Sequence, residues 1–155
     1  MSNSPTHWET VVRWAECDAA GIIYHARVFD WFSEARVSWL AEHALSYYHV
    51  LRPQGVELLV KSAHAHFRHA LAPGDRVRVT IRLRQITPTR ATFHYEGFLW
   101  REGWILALEG ETDHAFVQGG RAQRLDRRHP DIYQAFCESL EITGGMRSSA
   151  QQEAQ

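Results

Sequence analysis

The sequence predicts a two-layer α+β domain, in which one long helix packs against an antiparallel sheet. Two observations predict it: a single long segment of helical periodicity near the N-terminus, and four later segments of alternating apolar and polar residues. The chain has 155 residues, of which 45% are hydrophobic, so it can bury one substantial core but is short for two. We therefore expect a single domain over residues 1–142 and a disordered polar tail over 143–155.

The first two elements are a short strand and the long helix. The strand is predicted from Trp8 to Trp14, and the helix from Ala26 to about His43, a segment that no proline or glycine interrupts. The apolar stripe of this helix is broad, so it needs a sheet to cover it. The stripe contains Val28, Phe29, Phe32, Ala35, Val37, Trp39 and Leu40.

Period-two alternation predicts the strands of the sheet. Four strands are expected over 55–71, 76–84, 92–101 and 104–117, separated by turn sequences at 72–75, 87–89 and 102–103. Together with the first strand they give an antiparallel sheet of five strands. A terminal helix is expected from His129 to Ile142, with Ile132, Phe136 and Leu140 facing inward.

Charge and composition argue against several classes of function. The formal net charge of -1 provides no basic field for nucleic acid, and no apolar run approaches the length of a membrane span. The two cysteines, Cys17 and Cys137, provide no disulfide framework, and residues 1–10 lack the features of a secretory signal. We expect a cytoplasmic protein whose partners include neither nucleic acid nor membrane.

The segment 16–32, with the sequence ECDAAGIIYHARVFDWF, carries most of the chemical information. Gly21 can adopt a left-handed turn, which places Asp18 on a loop beside the start of the helix. A carboxylate can attack a carbonyl carbon or activate water, and unpaired N–H groups at a helix start can hold the resulting oxyanion. This combination suits acyl transfer.

These residues, with the later segments AHFRHALAPGDRVRVTIRL and GWILALEGETDHAFV, resemble the 4-hydroxybenzoyl-CoA thioesterase family of hot-dog-fold acyl-CoA thioesterases. The resemblance extends over about residues 10–117. It implies a hot-dog fold, in which a five-stranded antiparallel sheet wraps a long central helix. It also implies hydrolysis of an acyl-CoA, with an aromatic or medium acyl group, to a carboxylic acid and free CoA. Members of this family are homodimers, often paired into homotetramers, with active sites at the subunit interface.

The resemblance also assigns roles to four positions of this sequence. Asp18 matches the catalytic aspartate, which acts as nucleophile or as general base on water. The backbone N–H of His25 matches the group that polarises the thioester carbonyl, while Tyr24 and Gly21 shape the approach. We expect no cofactor and no metal to take part.

Other residues near this segment offer alternative chemistry. Cys17 could act as a nucleophile paired with His25, although adjacent residues of an extended segment point to opposite sides, so Cys17 and Asp18 should not share one role. Glu34, on the helix, is the second choice as base. Its default interpretation, shared with Glu42, is a solvated or ion-paired helix face.

Candidate binding groups are less specific. His64 and His66 share one face of a predicted strand and could bind a metal, or they could form a polar strand face. Several tryptophans are expected to pack in the core or at an interface, with some available for an acyl pocket: Trp14, Trp31, Trp39, Trp100 and Trp104. The arginines that could bind CoA phosphates are Arg82, Arg84, Arg90, Arg101, Arg121, Arg124, Arg127 and Arg128.

Two other functions fit the same residues. A thioesterase that acts on acyl carrier protein would recognise a protein surface instead of a nucleotide. A non-catalytic acyl-binding module would share the fold without the chemistry. Asp18 within its full motif argues against the second function, because binding alone does not require a carboxylate there.

Overall fold

One helix and one antiparallel sheet dominate the computed structural model, which describes residues 5–140. Helix α1 (Val28–Glu42) packs on one face of the sheet. The strands pair in the order β1-β3-β4-β5-β2. Their bounds are β1 Thr6–Val11, β2 Glu57–Phe67, β3 Arg76–Ile86, β4 Arg90–Trp100 and β5 Trp104–Gln118. The predicted two-layer α+β architecture is therefore confirmed.

Most helix and strand ends lie within two residues of the prediction, but β2 ends at Phe67 and not at Leu71. Two further differences concern the first strand and an additional strand. The first strand ends at Val11, because the Val12 N–H donates to the Asp75 carbonyl at 2.8 Å and the chain then turns into the short 3-10 helix Trp14–Glu16. A sixth strand of two residues, β6 (Arg121–Ala122), extends the five predicted strands by pairing with the end of β5. Neither difference changes the sheet order.

The predicted apolar stripe of α1 is the face that contacts the sheet. Trp31 lies beside that stripe and is also buried, whereas Phe29 and Val37 are half-buried. Burial of these large side chains supplies most of the free energy that holds helix and sheet together. The buried residues of α1 are Val28, Trp31, Phe32, Ala35, Trp39 and Leu40.

Helix α1 packs closely against the sheet at Gly110 of β5. The Phe32 ring stacks on Tyr95 of β4, with ring centroids 4.2 Å apart. A Cβ atom at position 110 would lie 2.5 Å from Cε2 of Phe32 and 2.6 Å from the carbonyl oxygen of His64. Only glycine fits there without moving the helix or the neighbouring strand.

A short helix α2 (Leu125–Arg128) and the helical residues 130–140 close the open end of the core. Ile132 and Phe136 are buried and Leu140 is half-buried, as predicted. The Phe136 ring packs against Trp39 and Phe116, with centroids 6.3 Å and 5.5 Å away. The predicted end of this helix at Ile142 and the predicted tail over 143–155 lie outside the described residues.

The tryptophans divide into two groups. Trp31 and Trp39 are buried in the core, as expected. Trp14 is 84% exposed, and Trp100 is 44% exposed although its ring contacts Trp104 and Arg76. Trp14 is exposed because it lies on the 3-10 turn after the chain has left the sheet. Within the described range 5–140, no helix is long and apolar enough to cross a bilayer.

Candidate active site

Asp18 lies on a tight loop that leads into α1. Cys17 and Ile23 form an isolated antiparallel bridge, and the Asp18 N–H donates to the Ile22 carbonyl at 3.0 Å. The Gly21 N–H donates to the Asp18 carbonyl at 3.0 Å. Gly21 has a φ of +77°, which is the left-handed turn that the sequence predicted. The loop is thus a small closed structure with defined geometry.

The Asp18 carboxylate is exposed and only partly engaged. Its Oδ1 accepts a hydrogen bond from the Ala20 N–H at 2.8 Å, an arrangement that fixes the side chain while leaving Oδ2 toward solvent. The open cleft beside it has a volume of about 390 Å³. The cleft is lined by Trp14, Cys17, Asp18, Ala19, Gly21 and Pro73.

His25 begins the 3-10 turn His25–Arg27, which continues directly into α1. Its backbone N–H has no acceptor among residues 5–140, and no side chain caps this helix start. Tyr24 is exposed, and its ring lies against the His25 imidazole with centroids 4.6 Å apart. The structure therefore places a free N–H donor and the Asp18 carboxylate on the same loop.

Sequence reasoning missed Glu16, which is the buried anchor of this loop. Glu16 is only 3% exposed, whereas Asp18 in the same loop faces solvent. Oε2 accepts a hydrogen bond from Nε1 of Trp31 at 2.8 Å, and Oε1 accepts one from the Arg13 N–H at 2.9 Å. Burial opposes ionisation, but these hydrogen bonds and the Arg13 guanidinium outweigh it and hold the Glu16 pKa below its usual value.

The structure does not form the alternative Cys/His pair. The Cys17 thiol is half-buried and donates to the Arg13 carbonyl, with an S···O distance of 3.6 Å. Desolvation raises the pKa of this thiol, and the negative charges of Glu16 and Asp18 raise it further. A thiol with a raised pKa is a poor nucleophile near neutral pH. Cys17 is therefore a weak competitor to Asp18.

The two helix carboxylates lie away from the Asp18 cleft. Glu34 borders a separate cavity of about 330 Å³, lined also by Trp8, Thr10, Arg13, Glu16, Asp30 and Trp31. Glu42 accepts a hydrogen bond from the Thr6 hydroxyl at 2.5 Å, which ties α1 to β1. Within one chain, neither carboxylate is brought to the site that contains Asp18.

His64 and His66 lie on the outer face of the sheet. They are paired in register with Glu111 and Glu109, on the face opposite to α1. Across residues 5–140, no group of three or more histidine, cysteine, aspartate or glutamate residues is placed to hold a metal ion. The imidazoles therefore form a polar strand face next to carboxylates.

Several of the candidate phosphate-binding arginines are paired with carboxylates. Arg90, Arg101 and Arg124 each lie 2.8 Å from an aspartate oxygen, and Arg84 pairs with Glu111. The arginine side chains of these pairs are about half exposed, and each pairing reduces the charge available to a phosphate. Sequence reasoning overlooked Arg13, whose side chain is 73% exposed and which borders the separate cavity that contains Glu16 and Glu34.

A buried polar chain crosses the core between α1 and the sheet. Arg36 donates to the Tyr95 hydroxyl at 2.9 Å, Tyr95 lies 2.7 Å from the Thr112 hydroxyl, and Thr112 lies 2.8 Å from Nε2 of His114. Arginine can only donate, so the Tyr95 hydroxyl accepts from Arg36. If Tyr95 donates to Thr112 and Thr112 donates to His114, each hydroxyl both donates and accepts. In this arrangement His114 is neutral and carries its proton on Nδ1, which is buried and has no hydrogen-bond partner among the described residues. Burial, assisted by the Arg36 charge, lowers its pKa to about 4.

The comparisons with known proteins define the class to which this site belongs. The family model described as "Thioesterase-like superfamily" matches residues 12–139, so the chain belongs to the thioesterase-like superfamily. The predicted hot-dog fold and the predicted enzyme class, a thioester hydrolase, are both confirmed. Among solved structures, the DHNA-CoA thioesterase from Staphylococcus aureus is 25% identical, with a TM-score of 0.82 over 90% of this chain and 93% of that one.

Three further proteins are similar to this chain. A 1,4-dihydroxy-2-naphthoyl-CoA hydrolase from Thermosynechococcus vestitus is 28% identical over 118 residues, which cover 76% of this chain and 80% of that protein. A putative esterase from Aquifex aeolicus is 28% identical over 110 residues, 71% of this chain and 83% of its own length. A hypothetical protein from Thermus thermophilus is 30% identical, with a TM-score of 0.77 over 86% of this chain and 98% of that one.

Proposed function

We propose that this protein hydrolyses an acyl-CoA thioester to a carboxylic acid and free CoA. Asp18 acts as nucleophile or general base, and the His25 N–H holds the thioester carbonyl oxygen. The observation that carries the proposal is the pairing, on one loop, of an exposed carboxylate with an N–H that has no acceptor among the described residues. Membership of the thioesterase-like superfamily supports it.

We assign a separate role in the reaction to each functional group of the loop. The Ala20 N–H holds Oδ1 of Asp18, so Oδ2 can attack the carbonyl carbon or take a proton from water. Negative charge then develops on the carbonyl oxygen, where the His25 N–H and the positive end of the helix stabilise it. The tetrahedral species collapses with loss of the CoA thiolate, which then takes up a proton. In the general-base route this step releases the carboxylic acid, whereas in the nucleophilic route it leaves an acyl anhydride on Asp18 that water hydrolyses in a second step. Gly21 sets the turn, and Tyr24 flanks the donor.

We propose an aromatic acyl group as the preferred substrate, with a medium aliphatic chain as the alternative. Two relatives are named for 1,4-dihydroxy-2-naphthoyl-CoA, and the sequence resemblance to 4-hydroxybenzoyl-CoA thioesterases also indicates an aromatic ester. The exposed Trp14 ring supplies an aromatic wall at the Asp18 cleft. Aromatic faces favour stacking with a planar acyl group.

We further propose that the working unit is an oligomer, at least a dimer, formed through β2. This strand is at one edge of the sheet, and its 11 residues are mostly exposed on both faces. Leu59 and Val60 are 49% and 47% exposed. A long, exposed edge strand with unpaired backbone groups favours pairing with a second copy. A single domain over 1–142 and a cytoplasmic location remain part of this proposal.

The experiment that tests the proposal is hydrolysis of a thioester panel, followed with a thiol-reactive dye. The panel carries benzoyl, hydroxybenzoyl, naphthoyl and medium aliphatic groups, each on CoA, on acyl carrier protein and on N-acetylcysteamine. We expect fastest turnover of an aromatic CoA ester, and loss of turnover in Asp18→Asn. Preference for the carrier protein would instead identify a carrier-protein thioesterase. Tight binding of CoA esters without release of thiol would identify an acyl-binding module.

A further inference from the structure

Glu16 ties together the three segments that meet at the loop. Its Oε1 accepts from the Arg13 N–H, where the chain enters the 3-10 turn, and its Oε2 accepts from the indole of Trp31, in the first turn of α1. Its backbone carbonyl accepts from the Tyr24 N–H at 2.8 Å, where the chain leaves the loop. Trp31 is itself buried, so the core fixes the position of its indole. Glu16 thus connects the loop to the Trp31 indole, whose position the core fixes.

The contacts at this position require a carboxylate. The Arg13 N–H and the Trp31 indole N–H are both donors, and the Arg13 guanidinium lies 3.4 Å from the same carboxylate. An ionised glutamate offers two acceptor oxygens to these donors, whereas glutamine offers one acceptor and one NH₂ group. With glutamine, an N–H would therefore face another N–H in a buried place, which is costly.

Glu16 itself does not line the cleft that contains Asp18. Its side chain borders the other cavity, together with Asp30 and Glu34, and supports the loop from the side away from the Asp18 cleft. The adjacent residues Cys17 and Asp18 begin the bridge that closes the loop. A displacement of Glu16 would therefore be transmitted directly to the Asp18 carboxylate and, through Tyr24, to the His25 N–H.

We propose that Glu16 is a positioning residue, whose buried carboxylate sets the spacing between the Asp18 carboxylate and the His25 N–H. The part that concerns catalysis rests on the proposed function. The rate of a reaction between positioned groups is sensitive to displacements of about 1 Å, which cost on the order of a hundredfold. The carboxylate of Glu16 therefore contributes to turnover without contacting the substrate.

The test compares Glu16→Gln, Trp31→Phe and the double variant, with Asp30→Asn as control. Asp30 borders the same cavity but has an exposed side chain and contacts neither Trp31 nor the Arg13 N–H. We expect Glu16→Gln to lower kcat by about 10- to 100-fold with KM changed less than about threefold. In the Trp31→Phe background the indole donor is absent, so Glu16→Gln should lower kcat by a smaller factor than it does in the wild type. Asp30→Asn should behave as the wild type.

Hydrogen exchange separates this inference from the proposed function. If Glu16 positions the loop, Glu16→Gln should speed exchange of the Asp18, Gly21 and Tyr24 amides while the amides of β4 stay protected, whether or not the wild type hydrolyses CoA esters. Unchanged exchange with unchanged kcat would overturn the inference. An inactive wild type, or full activity in Asp18→Asn, would overturn the proposed function alone.

A second variant covers the case in which Glu16→Gln does not fold. Trp31→Phe keeps the carboxylate and removes only one of its donors. A smaller fall in kcat, together with faster exchange of the loop amides, would support the positioning role. Wild-type kcat and wild-type exchange in this variant would contradict it.

Discussion

Two polar regions of this molecule contact the same helix but differ in whether solvent and substrate can reach their unsatisfied groups. The chain from Arg36 to His114 runs through the core, where its hydrogen bonds are internal and Nδ1 of His114, which has no partner in the described part of the chain, is buried. The Asp18 loop is just as ordered by hydrogen bonds, yet it ends in an exposed carboxylate and in an N–H without an acceptor among residues 5–140. Spare hydrogen-bonding capacity, held in a fixed place, is what makes a polar cluster suitable for chemistry.

The largest expected effect is the loss of the Asp18 carboxylate. Asp18→Asn keeps the shape of the side chain but removes its basic, nucleophilic oxygen, so turnover should fall by about a hundredfold or more. Thermal unfolding should be nearly unchanged because the residue is exposed. Steady-state kinetics on the preferred CoA ester measure this.

Cys17→Ser is the matched control for that experiment, since it alters the adjacent residue in the same cleft. It should retain most of the activity. If Asp18→Asn turns over substrate at the wild-type rate, Asp18 does not take part in the reaction, and Glu34→Gln becomes the next variant to measure. If Cys17→Ser is inactive while folded, the cysteine is the nucleophile.

The buried polar chain from Arg36 to His114 should make the folded protein less stable in acid. The pKa of His114 is about 4 in the folded chain, against 6.5 without the fold, so the unfolded chain binds a proton first as pH falls. The free energy of unfolding should therefore decrease by about 1.5 kcal/mol between pH 6.5 and about pH 5. The stabilisation is fully present above pH 6.5 and is lost toward pH 4.

Urea denaturation at several pH values measures the slope of the free energy of unfolding against pH. Carboxylates whose pKa is lowered by folding, such as Glu16, make stability depend on pH only below about their ordinary pKa of 4.5. Above about pH 5, a change in the free energy of unfolding therefore reports the His114 imidazole. His114→Gln should be less stable at neutral pH but should lose the slope in this interval. A slope that persists in His114→Gln would assign the acid sensitivity to other groups.

A third prediction concerns the β2 edge, which lies apart from both polar regions. Dilution that produces monomers should reduce specific activity, because the resemblance places each site at a subunit boundary. Leu59→Lys adds a charge to the exposed edge strand and should shift dissociation to higher protein concentration. Light scattering, with activity measured across the same concentrations, follows both effects.

The control for that experiment is Ile105→Lys, which places the same charge on an exposed apolar residue of β5 outside the β2 pairing. It should leave the oligomer unchanged. A fully active monomer would show that the site is complete within one chain.

The smallest expected effect is that of chelation. The proposed mechanism stabilises the oxyanion with a helix start, so prolonged dialysis against EDTA should leave kcat unchanged. Activity that disappears and returns with zinc would contradict the mechanism and direct attention to His64 and His66.

The two polar regions were not equally predictable from the sequence. The Asp18 loop is local: Gly21 marks its turn, and the helix that follows has an uninterrupted apolar stripe. Strands β3, β4 and β5 were also predictable, because their alternation matches one buried and one more exposed face, whereas β2 is mostly exposed on both faces. The polar chain joins residues from positions 36 to 114, and no short-range pattern indicates that they meet.

Glu16 escaped prediction for the same physical reason. An acid two residues before a loop carboxylate is normally solvated, and only the fold, which brings Trp31 over it, makes it a buried acceptor. Trp14 was expected to be covered, since aromatic residues usually are, but the chain leaves the sheet before reaching it. Periodicity identifies faces, whereas these positions depend on where separate elements meet.

Efforts to re-engineer the specificity of this enzyme meet a constraint at Gly110. Helix α1 rests against this position, and the Asp18 loop is fastened to the same helix through Trp31. A side chain added in the middle of β5 would lift Phe32 and carry the start of the helix with it. Libraries aimed at a different acyl group should therefore keep this strand position constant and vary the rim of the cleft, where Trp14 and Pro73 can change size without moving the scaffold.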